Sequence, residues 1–214
     1  MTKSQRIFFS NYLEELFPDA KAELDFTNNF ELIVAVVMSA QTTDIAVNKV
    51  TKHLFHKYPT PHDLMHANVD DVMQIIQSIG LYKTKAKNII ALSKILVEDF
   101  NGEVPNDRKA LESLPGVGRK TANVVLSNAF GVPALAVDTH ILRISKRLGL
   151  ADDADDAYAV EMKLNDSFPK ALWHKLHHQL IFFGRYHCLA RKPKCDTCQM
   201  QGICPYFKNI VSKQ

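Results

Sequence analysis

Four cysteines, Cys188, Cys195, Cys198 and Cys204, fall within 17 residues of a 214-residue chain, spaced Cys-x6-Cys-x2-Cys-x5-Cys. Four thiolates so grouped can hold zinc or an iron-sulfur cluster, and the spacing alone leaves both open. Zinc sites more often show two Cys-x2-Cys pairs, whereas here only Cys195 and Cys198 are so paired. A second constellation is Leu114-Pro115-Gly116-Val117-Gly118-Arg119-Lys120-Thr121-Ala122. Gly116 and Gly118 let the backbone turn sharply and approach a ligand without Cβ atoms in the way. The N–H groups of the following helix then face outward at its positive end, a ready phosphate site that grips a polyanion without reading its sequence. Lys120 falls in the first turn of that helix, where the dipole disfavours an ammonium, and a neutral amine is the form that attacks carbon. Taken by itself, a lysine there reads as a phosphate contact. Asp138, eighteen residues on, precedes another helix and reads as its N-cap.

The elements around these residues read as helices. Periodicity and caps predict helices from after Asn29 to about 40, from a cap at Thr43 or Asp44 to about 57, a short one opening at Thr60–Pro61, and others over 4–17, 70–78, 84–100, 107–113, 119–129, 139–148, 155–168 and 170–183. Thr60, Pro61 and Asp63 form a capping-box start, and Asn101-Gly102 a stop. The one β-like stretch, 132–137, contains Pro133 and reads as an extended connection. His174, His177 and His178 share a helix with Trp173, Leu176 and Leu180 and read as packing residues, as do Tyr82, Trp173 and Tyr186.

Composition narrows the class. With 46% hydrophobic residues the chain can build a substantial core, and 8 Gly and 9 Pro are too few for a collagen-like or turn-rich all-β protein. The longest apolar stretch, Leu32 to Met38, falls far short of the ~20 residues a bilayer span needs, so it reads as a central core helix. No secretory signal is visible, which makes the cytoplasm the expected compartment and ligation, rather than disulfides, the expected use of the cysteines. The net charge of +3 conceals an asymmetry: residues 114–147 and 185–194 each carry +4, and the remainder is acidic. Two basic segments on an otherwise acidic chain suit nucleic acid.

Leu114 to Ala122 resembles the helix-hairpin-helix motif of the endonuclease III family of DNA glycosylases, here about residues 108–127. Val137-Asp138-Thr139-His140 is similar to that family's Val-Asp-Thr-His segment, and the cysteines to its 4Fe-4S loop. Ser39-Ala40-Gln41-Thr42-Thr43-Asp44 and Ile79-Gly80-Leu81-Tyr82 resemble its DNA-gap-filling segments, although Thr42 stands where the family usually has a small apolar residue. The matches run from residue 39 to residue 204 in the family's order.

The resemblance implies an all-α fold of two helical domains with a DNA-binding cleft between them: a contiguous domain over 22–132 with the hairpin, and an iron-sulfur domain joining 1–21 to 133–214. It makes Lys120 the nucleophile and Asp138 the catalytic carboxylate, facing each other across that cleft. The activity implied is that of a bifunctional DNA glycosylase and abasic-site lyase of base excision repair. Such an enzyme excises oxidised pyrimidines from duplex DNA and nicks 3′ to the abasic site by β-elimination. Gln41 and Leu81 would fill the gap left by an extruded base, although Leu81 taken alone reads as core. Gly116, Gly118, Arg119, His140, Arg191, Lys192 and Lys194 would contact DNA, Asp44 would lie near the pocket, and the four cysteines would hold a 4Fe-4S cluster that stiffens the basic loop. The expected partner is double-stranded DNA with oxidised pyrimidines or abasic sites, bound by a monomer without any membrane. A monofunctional adenine glycosylase of this kind lacks the lysine, has a glutamate within the 32–38 segment and carries a further C-terminal domain. Here Lys120 is present, no acid occurs from Leu32 to Met38, and ten residues follow Cys204. A noncatalytic DNA-binding module would have no use for Lys120 and Asp138 together.

Overall fold

The computed structural model describes residues 1–211; the last three residues of the 133–214 segment lie outside the described residues. Among the described residues eleven α-helices account for most of the chain and no strand occurs. The chain packs as two compact units, one formed by Glu23–Val132 and the other by Met1–Ala22 with Pro133–Gln214.

The contiguous unit is built around α2 (Asn29–Ser39). Asn28 caps its start by accepting from the Glu31 N–H, and every residue from Leu32 to Met38 is buried. A helix apolar on all sides must be surrounded, and α2 packs on α3 (Asp44–Lys57), α6 (Tyr82–Phe100) and α8 (Arg119–Phe130). The short helices α4 (Pro61–Met65), α5 (Val69–Ile76) and α7 (Arg108–Glu112) close the unit. Thr60 and Asp63 form the reciprocal capping box of α4, with Pro61 at the first helical position. α6 ends where Asn101 and Gly102 both take positive φ. It begins at Tyr82 rather than Thr84, because Leu81 adopts the left-handed conformation and Lys85 N–H already bonds to the Leu81 carbonyl.

The second unit joins α1 (Lys3–Leu16) to α9 (Thr139–Arg147), α10 (Ala157–Ser167) and α11 (Trp173–Phe182). Its core gathers Phe9 and Leu13 from α1, Ile141 and Ile144 from α9, Leu164 from α10, and Leu176, Leu180 and Phe183. Residues 132–137 form neither helix nor strand, and Ala134 to Val137 are buried. The stretch expected as one helix over 170–183 is three pieces: a 3-10 turn Lys170–Leu172 after Pro169, then α11, then a π-turn Phe183–His187. The π-turn closes with a 2.6 Å bond from the Cys188 N–H to the Phe183 carbonyl. Gly184 makes it feasible, since a Cβ there would lie 2.8 Å from His140 Cβ and 3.0 Å from Ile144 Cδ1. His177 and His178 are buried with their rings in edge contact, consistent with a packing role.

Candidate functional site

In the contiguous unit, α7 and α8 form the two arms of the hairpin, anchored by buried Leu111, Leu114, Val117 and Ala122. Asp107 caps α7 by accepting from the Ala110 N–H at 2.9 Å. The two glycines do different work. Gly116 has φ of +80°, and a Cβ there would sit 2.9 Å from Asn88 Nδ2 and 3.1 Å from Val37 Cγ1. Gly118 is extended, faces open space, and brings no side chain to cap α8. The first turn of α8 therefore has no side-chain cap from the residue that precedes it. Lys120 stands in this first turn, exposed, with no carboxylate paired to it among the described residues. Arg119 beside it is half-buried.

The other candidates of this unit lie on two adjoining loops. Gln41 and Leu81 both adopt left-handed backbone, with φ of 54° and 57°, and both are exposed, Leu81 by 59%. Leu81 is thus no core residue; Ile79 takes the buried position instead. A left-handed non-glycine costs ~1–2 kcal/mol, so two such residues aimed at solvent mark strained, outward-facing loops. A Cβ on Gly80 would be 3.8 Å from the Gln41 carbonyl, so the two backbones run side by side. Thr43, not Asp44, caps α3, accepting from the Ala46 N–H at 3.3 Å; Asp44 is the first helical residue behind it.

In the second unit, Asp138 caps α9: its Oδ1 accepts from the Ile141 N–H at 2.8 Å. One carboxylate oxygen is thereby fixed, and the side chain stays half-buried rather than enclosed. His140 follows on the same helix. Burial holds its imidazole below the ordinary histidine value, opposed by nearby Asp138 and assisted by Arg143 and Arg185. Arg143 donates to the Gly184 carbonyl at 2.8 Å and the Cys188 carbonyl at 3.2 Å, and lies 3.3 Å from His140 Nδ1. Arg147, one helical turn on, donates to Leu189 O at 2.7 Å, to Ala190 O at 3.0 Å and to Cys188 Sγ at 3.4 Å, under the Tyr206 ring. Reading the sequence missed these two as structural ligatures of the cysteine loop. Their signal was positions 140, 143 and 147 on one helix face.

Cys188, Cys195, Cys198 and Cys204 line one pocket with Leu148, Phe183 and His187. Burial, with the neighbouring thiolates adding to it, pushes the Cys198 thiol up to about 11 and raises those of Cys195 and Cys204. Among the described residues no three His, Cys, Asp or Glu side chains group tightly enough for a single metal ion. Four thiols lining one pocket fit an iron–sulfur cluster, which divides its cysteine ligands among several irons. Between Cys188 and Cys195 the loop exposes Arg191, Lys192 and Lys194, Lys192 with φ of 50°.

Residues 34–170 match the model of the HhH-GPD superfamily base excision DNA repair proteins, and residues 188–204 match the iron-sulfur binding domain of endonuclease III. Endonuclease III of Bacillus subtilis is 54% identical over 197 residues, 92% of this chain and 90% of that one. Endonuclease III of Escherichia coli K12 is 47% identical over 98% of this chain and 99% of its own. A solved structure described as a non-covalent endonuclease III–DNA complex superposes with a TM-score of 0.96 at 51% identity, covering 99% of each chain. One described as a trapped endonuclease III–DNA covalent intermediate superposes with a TM-score of 0.94 at 52% identity, over 97% of this chain and 98% of that one.

Proposed function

The chain belongs to the endonuclease III family, and we propose that Lys120 and Asp138 perform its chemistry on oxidised pyrimidines in duplex DNA. Its activity is that of a DNA glycosylase and abasic-site lyase of base excision repair; it binds DNA and carries a 4Fe-4S cluster. The observation that carries the assignment is Lys120 itself, exposed, unpaired by any carboxylate among the described residues and two residues beyond Gly118 of the glycine turn. A covalent protein–DNA intermediate, of the kind named for the relative at 52% identity, is what an amine on a sugar carbon forms.

The Nζ lone pair of Lys120 attacks C1′, and the C1′–N bond breaks with its electron pair leaving on the base, which takes up a proton. Opening of the sugar ring leaves an iminium between Nζ and C1′. Loss of a proton from C2′ then expels the 3′ phosphate by breaking C3′–O, and water releases Lys120. The Asp138 carboxylate stabilises the positive charge that develops on the sugar and relays the protons; its cap to Ile141 fixes the orientation it needs.

Backbone N–H groups behind Gly116 and Gly118, with Arg119, Arg191, Lys192 and Lys194, hold phosphates, and His140 approaches the DNA from the start of α9. Gln41 and Leu81 fill the space of the extruded base, and Asp44 lies near the pocket. The left-handed, exposed state of both fillers supports that role. Cys188, Cys195, Cys198 and Cys204 hold the cluster, whose part is to order the basic loop. The reading takes the protein as a monomer acting in the cytoplasm.

Borohydride reduction tests the chemistry. Incubated with a duplex carrying one thymine glycol, the wild-type protein yields a covalent protein–DNA band, and Lys120→Ala yields none. A band that persists in Lys120→Ala moves the nucleophile elsewhere. Base release without any band in the wild type would make the enzyme monofunctional.

A further inference from the structure

Lys85 sits in the first turn of α6 with only 4% of its surface exposed. Its Nζ donates to Thr42 Oγ1 at 2.7 Å, and no carboxylate pairs with it among the described residues. Burial lowers its hold on a proton, and the positive end of α6 adds to that penalty. Packing alone would be served better by Leu or Met at this position, which continues the buried stripe of Ile89, Leu92 and Leu96.

What the amine joins is specific. The Lys85 N–H bonds to the Leu81 carbonyl at 3.0 Å, while the Thr42 hydroxyl, on which Nζ ends, lies 3.4 Å from the Ala40 carbonyl, and the Thr42 N–H bonds to Ser39 O at 3.1 Å. Lys85 therefore holds Thr42, the residue after Gln41, through its side chain and Leu81 through its backbone.

We propose that Lys85 is a positioning residue: its bond to Thr42 locks the Gln41 loop to the Leu81 turn, so the two exposed side chains enter a duplex as one rigid wedge. Neither left-handed residue is stabilised by glycine's freedom, and each loop alone could relax out of the strained state. The proposal rests on the gap-filling reading of Gln41 and Leu81.

The test compares single-turnover cleavage of a thymine glycol duplex with that of a single-stranded oligonucleotide carrying an abasic site, which has no gap to fill. Lys85→Met and Thr42→Ala each lower the duplex-to-single-strand rate ratio about tenfold, the effect of removing one charged hydrogen bond. The double variant falls no further than the worse single one, and Thr42→Ser stays near wild type. Additive losses, a parallel fall on both substrates, or an unchanged ratio would overturn it. Should Lys85→Met not fold, Thr42→Ala against Thr42→Ser makes the same comparison. Gln41→Ala and Leu81→Ala separate the failures: if they leave the ratio unchanged, the gap-filling reading is wrong. If they lower it while the Lys85 and Thr42 variants do not, the positioning role alone is wrong.

Discussion

Replacing Gly116 and Gly118 by alanine, one at a time, should separate a folding glycine from a binding glycine. At Gly116 the added Cβ meets Asn88 Nδ2 at 2.9 Å and Val37 Cγ1 at 3.1 Å, on a backbone with φ of +80°. The left-handed conformation alone costs alanine ~1–2 kcal/mol, and overpacking against α2 and α6 adds ~1–3 kcal/mol. Gly116→Ala should therefore lose about 2–5 kcal/mol of stability, a displacement readily seen in urea unfolding followed by far-ultraviolet circular dichroism. At Gly118 the Cβ meets nothing within 4 Å and the backbone is already extended. Only the poorer capping propensity of alanine remains, at most about 1 kcal/mol. On the proposed reading its methyl instead stands in the path of a phosphate approaching the first turn of α8, so Gly118→Ala should weaken duplex binding about tenfold, the value of roughly one hydrogen bond to a charged group. Equal stability losses in the two variants, or a Gly116→Ala protein as stable as wild type, would refute the division of labour drawn from the turn geometry.

Other perturbations follow from the same structure. Asp138→Asn keeps an oxygen that can accept from the Ile141 N–H, so unfolding should shift by less than about 0.5 kcal/mol. Glycosylase turnover should nonetheless fall ~100-fold or more for want of the carboxylate charge; near-normal turnover defeats the assignment. Neutralising Arg191, Lys192 and Lys194 together should flatten the dependence of log Kd on log salt by about 2–3, near 0.9 for each phosphate that the loop no longer neutralises. An unchanged slope would remove the loop from the interface. His178 is buried and its imidazole is depressed to about 4. Because the folded state resists protonation that the unfolded chain accepts near pH 6.5, stability present above that pH is lost as pH falls toward 4. Between pH 7 and pH 5 the loss is about 2 kcal/mol. His140 and His187 are depressed too and act in the same direction, so the check is the difference in pH slope between wild type and His178→Gln by urea unfolding.

Much of the fold is written locally, and the exceptions show what local pattern omits. Thr60, Pro61 and Asp63 announce α4, and Asn101-Gly102 announces the end of α6, because caps and stops depend on residues adjacent in sequence. Leu81 defeated that logic: an apolar residue following Ile79 and Gly80 reads as core, yet Ile79 occupies the buried position and turns its neighbour outward. Lys85 was hidden among Lys83 and Lys87, which are exposed on the same helix. Its distinguishing mark is phase: four, seven and eleven residues separate it from Ile89, Leu92 and Leu96, the buried stripe of α6. A charged residue in phase with an apolar stripe requires a partner from another element, and sequence cannot say which; here it is Thr42, 43 positions away. Gly184 and Arg143 are hidden for the same reason, since the close approach they permit lies between α9 and the π-turn that leads into Cys188. Those long-range demands also concentrate where chemistry is expected, at the Gln41 and Leu81 loops and the cysteine pocket. A glycine that no turn requires, or a lysine in phase with leucines, is therefore a pointer toward the working parts of such a protein.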